Sequence, residues 1–225
     1  MKTKLTLFIL VTILLSSCAA KIPLSSNYYE SNSKVGLLLN INEINASRTG
    51  NQGIIDLALT QGIKYKEPLK IVDQQLNAKQ RIQDLYKNTY STKGKDLILI
   101  KDSINFNNFK KFEVPKDKKA NKYAKHDIRE LKTKYNIDEL LIINVNYGLL
   151  VSYYSMIETG RSGNCTIHST IVNLNDNSLL YKDFSFSLEK INGKWKTPPK
   201  YENLFSSINA AITETLSKEK TKFNK

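Results

Sequence analysis

Apolar residues follow two different periods along the chain from Lys34 onward, and the first half predicts two strands with a short and a long helix between them. A strand with one apolar face is predicted over residues 34–41, and an apolar run predicts a second, buried strand over residues 96–101. Between them we expect a Gly/Asn-containing loop, a short helix over residues 53–60 stopped by Gly62, and one long helix from Pro68 to about Tyr90. The period-two positions of the first strand are Val35, Leu37, Leu39 and Ile41.

The middle of the chain is less regular. In residues 102–119 phenylalanines recur every three residues, at Phe106, Phe109 and Phe112, within a stretch rich in Asn and Lys. We interpret it as a loop pinned to the core by its aromatic rings, and a membrane-touching or partner-binding patch is the alternative. Apolar residues at helical spacing then predict a helix over residues 120–135, capped by Asn136.

The second half predicts three consecutive antiparallel strands and a helix. Alternating apolar residues over 141–151 indicate a long half-buried strand, and Gly160-Arg161-Ser162-Gly163 is predicted to reverse the chain. Residues 166–174 are predicted to form the second strand, and residues 175–178 a second turn. The third strand then has four apolar residues on one face, Leu180, Phe184, Phe186 and Leu188. After Pro198-Pro199, an apolar stripe from Leu204 to Leu216 predicts a last helix that lies on the core.

The predicted order β-α-β-α-β-β-β-α defines an α/β or α+β fold. We expect a mixed sheet of about five strands with helices mainly on one face. Residues 34–218 are predicted to form a single globular domain, and the lysine-rich residues 219–225 to fray. Residues 19–33 are polar and show no apolar period, so residues 18–33 are predicted to form a flexible tether.

The N-terminus has the pattern of an export signal. Lys2 and Lys4 precede an eleven-residue, largely apolar stretch at residues 5–15, and small residues follow it. As a helix this stretch would rise only about 16 Å, whereas a bilayer core is about 30 Å thick. Residues 1–17 are therefore predicted to be a secretory signal peptide and not a membrane span.

The residues Leu15-Ser16-Ser17-Cys18 resemble the lipobox of bacterial lipoproteins. The resemblance implies removal of residues 1–17, a lipid thioether on Cys18, and a partner membrane held through that acylated cysteine. The residue after the cysteine is Ala19, whereas an Asp there would favour retention at the inner membrane. The resemblance therefore implies an anchor in the outer membrane, with the domain facing the periplasm. Ordinary secretion with a chance cysteine is the alternative.

The charge of the exported chain is strongly positive. The whole chain has 34 basic and 21 acidic residues, and without residues 1–17 it keeps 32 and 21, a net charge of +11. Such a surface attracts polyanions, but nucleic acid does not occur in the expected compartment. The candidate ligands are then anionic lipids or glycans, and solubility or genome base composition is the alternative explanation.

Few residues suggest catalysis or metal binding, and no cofactor is expected. Cys165 and His168 are a candidate thiol dyad, but on a strand they would point to opposite faces. Residues 160–163 superficially resemble a nucleophile elbow without its strand-to-helix context. A sugar or lipid platform could use four aromatic residues, for which core packing is the alternative: Tyr153, Tyr154, Tyr181 and Trp195.

The exported domain resembles the N-terminal domain of TolB and the related CsgG-like lipoproteins in outline. The similar features are Asp138-Glu139-Leu140-Leu141 opening a long strand, Gly148 within it, Ile171-Val172-Asn173-Leu174 before a polar turn, and the terminal helix. The resemblance covers roughly residues 34–218 by topology. TolB's propeller and a pore-forming hairpin are not evident, so neither function carries over.

Three functional hypotheses remain. The first is a non-catalytic envelope scaffold or adaptor that binds another envelope protein and is held at the membrane by Cys18. The second is a binding module for an anionic glycan or lipid, supported by the lysine-rich residues 110–134. The third, a hydrolase, would need a pocket that converges on Cys165, His168 or a pair of acids.

Overall fold

The computed structural model describes residues 21–51 and 63–224, which build a mixed sheet in the order β3-β1-β4-β5-β6, with β2 also paired to β4. Strands β1, β2, β3 and β4 pair in parallel where they meet, and β4, β5 and β6 are antiparallel. The strands are β1 Val35–Ile41, β2 Asn45–Asn51, β3 Leu97–Ile100, β4 Glu139–Tyr154, β5 Ile157–Asn173 and β6 Leu179–Lys190. The predicted α/β or α+β class is confirmed, and within the described residues the sheet has six strands in place of about five.

Strand β4 is long enough to pair with two strands on the same edge. Its first half pairs with β1 and its second half with β2. Gly148 has φ 145° at the junction, where a Cβ would lie 2.1 Å from the carbonyl oxygen of Asn45. The polar residues of β2 were expected to form a loop, but pairing with β4 holds them extended. The helix predicted over residues 53–60 lies outside the described residues.

The longer helices cover one face of the sheet. They are α1 Ile63–Leu76, α2 Ala78–Thr92 and α4 Glu202–Phe223, while α3 Leu131–Tyr135 is short and lies elsewhere. The single helix predicted from Pro68 to Tyr90 is wrong in two respects. Asn77 is left-handed, with φ 49°, and separates α1 from α2, and α1 begins before Pro68, at Ile63.

The core under these helices is large and aromatic. Alternate residues of β4 from Leu141 to Tyr153 contribute to it, together with Cys165 and Ile167 of β5. Burial of this apolar face is the main driving force for the fold. None of the described helices is long and apolar enough to cross a bilayer.

The predicted turn at residues 160–163 is instead part of β5. The chain reverses earlier, at Ser155 and Met156, so that β4 and β5 form one long hairpin. Gly163 is buried under α4, where a Cβ would lie 2.4 Å from the carbonyl carbon of Ser207. Helix packing explains this glycine.

The helix predicted over residues 120–135 is reduced to a 3-10 turn at Ala120–Lys122 and to α3. The buried Asn177 explains the difference. Its amide donates to the carbonyls of Ala124 and His126, at 3.2 and 3.0 Å, and its side-chain oxygen accepts from the amide of Ile128. Asn136 ends α3 in the left-handed conformation, as predicted.

Both ends of the described chain are more ordered than the sequence indicated. Residues 21–33 pack against the domain, with Ile22 paired to Lys182 and Tyr28 buried, so this part of the predicted tether is corrected. At the other end α4 continues to Phe223, which is 1% exposed, where fraying from residue 219 was expected. In both cases isolated aromatic residues fill the core without a periodic pattern.

Candidate functional site

The face of the sheet opposite the three long helices is only partly covered. Residues 101–136 cross one end of this face and form a second small core with Leu38, Leu140 and Val172. Phe106 and Phe109 pack against this core, which confirms that the aromatic rings pin the loop. The remaining part of the face is open to solvent and carries the exposed apolar side chains of Phe184, Phe186 and Leu188.

A cleft of about 530 Å³ lies where the crossing segment meets the open face. We call it the apolar cleft. Its floor is formed by Ile142, Thr170, Val172 and Leu179 of β4, β5 and β6. Its wall comes from the crossing segment, through Phe106, Phe112, Val114, Tyr123, Ala124 and Ile128.

The wall of the apolar cleft is held in place by its own backbone. The amide of Phe112 donates to the carbonyl of Lys125 at 2.9 Å, and the amide of Asp127 donates to the carbonyl of Lys110 at 2.8 Å. The rings of Phe112 and Tyr123 stack at 5.4 Å. With the bonds of Asn177, these contacts give the cleft a preformed wall.

The polar groups around the cleft are cationic or neutral. Lys111, Lys125 and Lys182 are exposed at its rim, and no Asp or Glu is among the described residues that line it. His126 is half-buried, with Nδ1 3.0 Å from the carbonyl oxygen of Phe109. An apolar cavity with a rim of lysines suits a ligand that has an apolar part and an anionic group.

Beyond the cleft, the open face combines amides with apolar side chains. The amide of Asn40 donates to Asn144 at 2.9 Å, and in the next row the amide of Asn42 donates to Asn146 at 2.5 Å. The residues paired with these amides across β5 lead to β6. Along β6, three exposed apolar side chains lie on the same face: Phe184, Phe186 and Leu188.

The structure separates the candidate thiol dyad. Cys165 is fully buried on the helix-covered face, whereas His168 is exposed on the opposite face, with its ring 5.7 Å from that of Phe184. Burial raises the pKa of the Cys165 thiol to about 12. A neutral, buried thiol is a poor nucleophile, so the predicted opposite orientation is confirmed.

The aromatic platform considered from the sequence does not form. Tyr153 and Tyr181 are buried in the core, and Trp195 packs on Tyr65 at 4.9 Å. Tyr154 alone of the four is well exposed, at 71%, near the tip of the β4–β5 hairpin. Core packing therefore accounts for Tyr153 and Tyr181.

The other chemical candidates do not form a reactive centre in the described part of the chain. There, no three residues among His, Cys, Asp and Glu are placed to hold a metal ion. Of the lysine-rich residues 110–134, Lys111 and Lys125 lie at the apolar cleft, and Lys132 and Lys134 form ion pairs elsewhere. The predicted lipid-bearing Cys18 lies outside the described residues.

The cleft was not predicted, although one signal in the sequence indicates it. Residues Leu140 to Ile143 are four consecutive apolar residues, and the structure shows that they face both sides of the sheet. Such a run is typical of a strand that is buried on both faces. The pattern of the crossing segment that covers the second face was misleading, because its helical spacing over residues 120–135 predicts a helix that is mostly absent.

Comparisons with known proteins found similar structures but no sequence relatives. No family model matches the chain, and no curated protein matches it significantly. The lipoprotein GNA1162 from Neisseria meningitidis is 11% identical over 82% of this chain and 99% of its own, with a TM-score of 0.34. The PelC dodecamer from Paraburkholderia phytofirmans is 9% identical over 88% and 93%, with a TM-score of 0.31.

A third similar structure is protein XCC0632 from Xanthomonas campestris. It is 8% identical over 90% of this chain and 87% of its own, with a TM-score of 0.35. The neighbours thus include a lipoprotein and an oligomer. Similarities of this size assign neither a family nor a function to this chain, and the resemblance to TolB and CsgG-like proteins stays a prediction.

Proposed function

We propose that the chain is a non-catalytic, lipid-anchored protein of the bacterial envelope that binds an anionic amphiphile in the apolar cleft. The observation that carries the proposal is the combination of an apolar floor, at Ile142 and Leu179, with three exposed lysines at the rim. Between the two binding hypotheses from the sequence, this geometry favours the ligand-binding module and favours a lipid over a glycan.

The size and the charge of the cleft both support a small amphiphile. Its volume of about 530 Å³ lies within the range of roughly 300–1,000 Å³ that is usual for small-molecule sites. Burying an acyl chain there removes apolar surface from water. The ammonium groups of Lys111, Lys125 and Lys182 can reach an anionic head at the rim while their stems stay on the apolar wall.

Calorimetric titration with dodecanoate and with uncharged dodecanol tests the binding proposal. We expect dodecanoate to bind more tightly, and its affinity to fall as salt is raised, because the head-group contact is electrostatic. Replacing Lys111, Lys125 and Lys182 together by Gln should weaken dodecanoate binding by about tenfold, on the basis of 0.2–1 kcal/mol per exposed ion pair. Lys190→Gln is the matched control, because it lies on the same face of β6 outside the cleft.

The apolar part of the contact has its own variant. Ala124→Trp places a large ring in the wall of the cleft and should abolish binding of both ligands if the cavity is the site. Equal binding of dodecanoate by wild type and Ala124→Trp would contradict the proposal.

The anchor is tested separately on Cys18. The lipobox resemblance of residues 15–18 supports acylation and, with Ala19, an outer-membrane position facing the periplasm. Intact-mass analysis should find the wild type cleaved before Cys18 and acylated, and fractionation should find it in the membrane. Cys18→Ser should carry no acyl group, and an unacylated wild type in the soluble fraction would contradict the anchor.

An adaptor that binds another envelope protein is a second candidate, and the tip of the β4–β5 hairpin favours it. Tyr154, Met156 and Ile157 are 71%, 56% and 68% exposed there. Exposed apolar side chains grouped at one point are typical of interaction sites. A photoreactive residue at Met156 should form one discrete protein adduct in living cells. The same residue at Lys87, on α2, should not, and equal adducts at both positions would contradict an adaptor site at the tip.

A further inference from the structure

The apolar row of β6 is exposed on the face that the long helices leave uncovered. Phe184, Phe186 and Leu188 are 41%, 41% and 44% exposed, and they alternate with Ser185 and Ser187, which are buried under α4. Alternate residues of a strand lie about 7 Å apart on one face. The three side chains therefore form one continuous strip.

The N-terminal segment enters the domain beside this strip. The Lys21 ammonium lies 5.1 Å from the ring centroid of Phe184 and 2.9 Å from a carboxylate oxygen of Asp183. Ile22 and Lys182 exchange two backbone hydrogen bonds, at 2.8 and 2.9 Å. Cys18 precedes Lys21 by three residues, which span at most about 11 Å.

The charges on the face of β6 that carries the strip are positive, and Asp183 beside it is paired with Lys21 and Lys222. Lys182 and Lys190 are exposed at its two ends on the same face of β6. The positions of β5 that lie beside the strip are Asn164, Thr166 and His168, and none of them is acidic. A strip of this kind is complementary to an anionic surface with an apolar interior.

The edge of β6 is closed to a further strand. The ammonium of Lys222 donates to the carbonyl of Phe184 at 2.6 Å, and that of Lys218 donates to the carbonyl of Phe186 at 2.9 Å. Lysines at an edge strand oppose strand addition by another protein. The side chains of the strip, and not the backbone, are thus available for contact.

We propose that this face of the sheet lies against the surface of the anionic bilayer that holds Cys18. Phe184, Phe186 and Leu188 enter the boundary between headgroups and acyl chains, and Lys182 and Lys190 contact anionic headgroups. The proposal rests on the proposed lipid anchor, because a short tether raises the effective concentration of the face at the membrane. The apolar cleft on the same face would then open towards the bilayer.

Fluorescence quenching by brominated lipids tests the orientation on the full chain. In a Trp195→Phe background, Phe186→Trp places a single tryptophan on the strip, and Lys87→Trp places one on the helix-covered side. The acylated proteins are reconstituted in vesicles of phosphatidylethanolamine and phosphatidylglycerol with brominated acyl chains. We expect the emission of Phe186→Trp to shift to shorter wavelength and to be quenched, and that of Lys87→Trp to change little.

The charge dependence gives a second readout. Replacing Lys182 and Lys190 by Gln should reduce the quenching of Phe186→Trp, and so should uncharged phosphatidylcholine vesicles or high salt. Lys87→Gln is the matched control for the loss of a surface lysine. Thermal unfolding of each variant shows whether the fold is kept.

The outcomes separate the membrane contact from the anchor. If the acylated chain floats with the vesicles and Phe186→Trp is not quenched, the anchor is supported and the proposed orientation is overturned. The strip would then be a contact surface for a protein. If mass analysis finds no acyl group, the anchor fails. In that case quenching of Phe186→Trp by the anionic vesicles would still support the contact, and no quenching would overturn it.

Discussion

The hydroxyl of Tyr28 donates to the carboxylate of Glu139 at 2.6 Å and joins the N-terminal segment to the first residue of β4. The Lys95 ammonium lies 3.5 Å from the same carboxylate and 3.8 Å from the centroid of the Tyr28 ring. All three side chains are buried. The segment that leads from the proposed anchor is therefore fixed to the domain.

Tyr28→Phe should destabilise the protein by about 1–3 kcal/mol, because it leaves one oxygen of a buried carboxylate without its donor. Urea unfolding followed by circular dichroism measures the change. Tyr154→Phe is the matched control, since Tyr154 is 71% exposed and surface changes usually stay within about 0.5 kcal/mol. Equal stability of Tyr28→Phe and wild type would contradict the role given to this contact.

The two glycines of residues 160–163 should differ in their tolerance of alanine. A Cβ on Gly163 would lie 2.4 Å from the backbone of Ser207, whereas one on Gly160 would meet nothing within 4 Å. Gly163→Ala should therefore cost about 1–3 kcal/mol by forcing α4 away from the sheet. Gly160→Ala is the control, and urea unfolding of both variants measures the difference in their free energy of unfolding. Similar stabilities would indicate that α4 does not pack closely on β5.

Cys165 should not react with thiol reagents in the native protein. Burial raises the pKa of its thiol to about 12, so little thiolate forms at pH 8. Labelling with iodoacetamide in Cys18→Ser, followed by mass spectrometry, should modify Cys165 only after denaturation. His168→Ala should change nothing, because His168 is on the other face. Rapid native labelling that depends on His168 would revive the thiol dyad.

The protein should lose stability above pH 10. Burial raises the pKa of Tyr28, Tyr86 and Tyr90 above their ordinary value of 10, so these groups stay protonated in the folded state while they ionise in the unfolded chain. Their contribution to stability is complete below pH 10 and is lost as the pH rises, by about 1.4 kcal/mol per pH unit for each group. Burial lowers the pKa of Lys95, and this shift changes the stability in the opposite direction as the pH rises. Because it concerns one group and the tyrosine shifts concern three, a net loss of stability is expected.

Urea unfolding at several values between pH 9 and 11.5 measures this loss, and absorbance at 295 nm follows tyrosine ionisation. If all tyrosines titrated together near pH 10 while the protein stayed folded, the buried positions of Tyr28, Tyr86 and Tyr90 would be wrong.

Elements whose apolar residues face one core were predictable from the sequence. Strand β4 and helix α4 have the regular period that a single buried face imposes, and both are present close to the expected positions. The polar strand β2 gave no such signal, because its conformation depends on pairing with β4. The break at Asn77 was also hidden, because apolar positions continue across it at nearly helical spacing.

The candidate site was harder to predict than the fold. Its floor comes from residues that are distant in sequence, such as Ile142 and Leu179, and its wall depends on one buried amide, that of Asn177. A side chain that bonds to irregular backbone leaves no periodic trace in the sequence. The lysines of residues 110–134 were visible, but the sequence could not tell which of them border a cavity.

Hydrogen exchange in the presence of dodecanoate tests most directly whether the cleft is a binding site. We expect slower amide exchange in residues 110–126 and 179–184, which form the wall and one side of the floor, and unchanged exchange in α2 on the opposite face. Ala124→Trp should remove the protection. Protection confined to the helix-covered face, or none at saturating dodecanoate, would contradict the account.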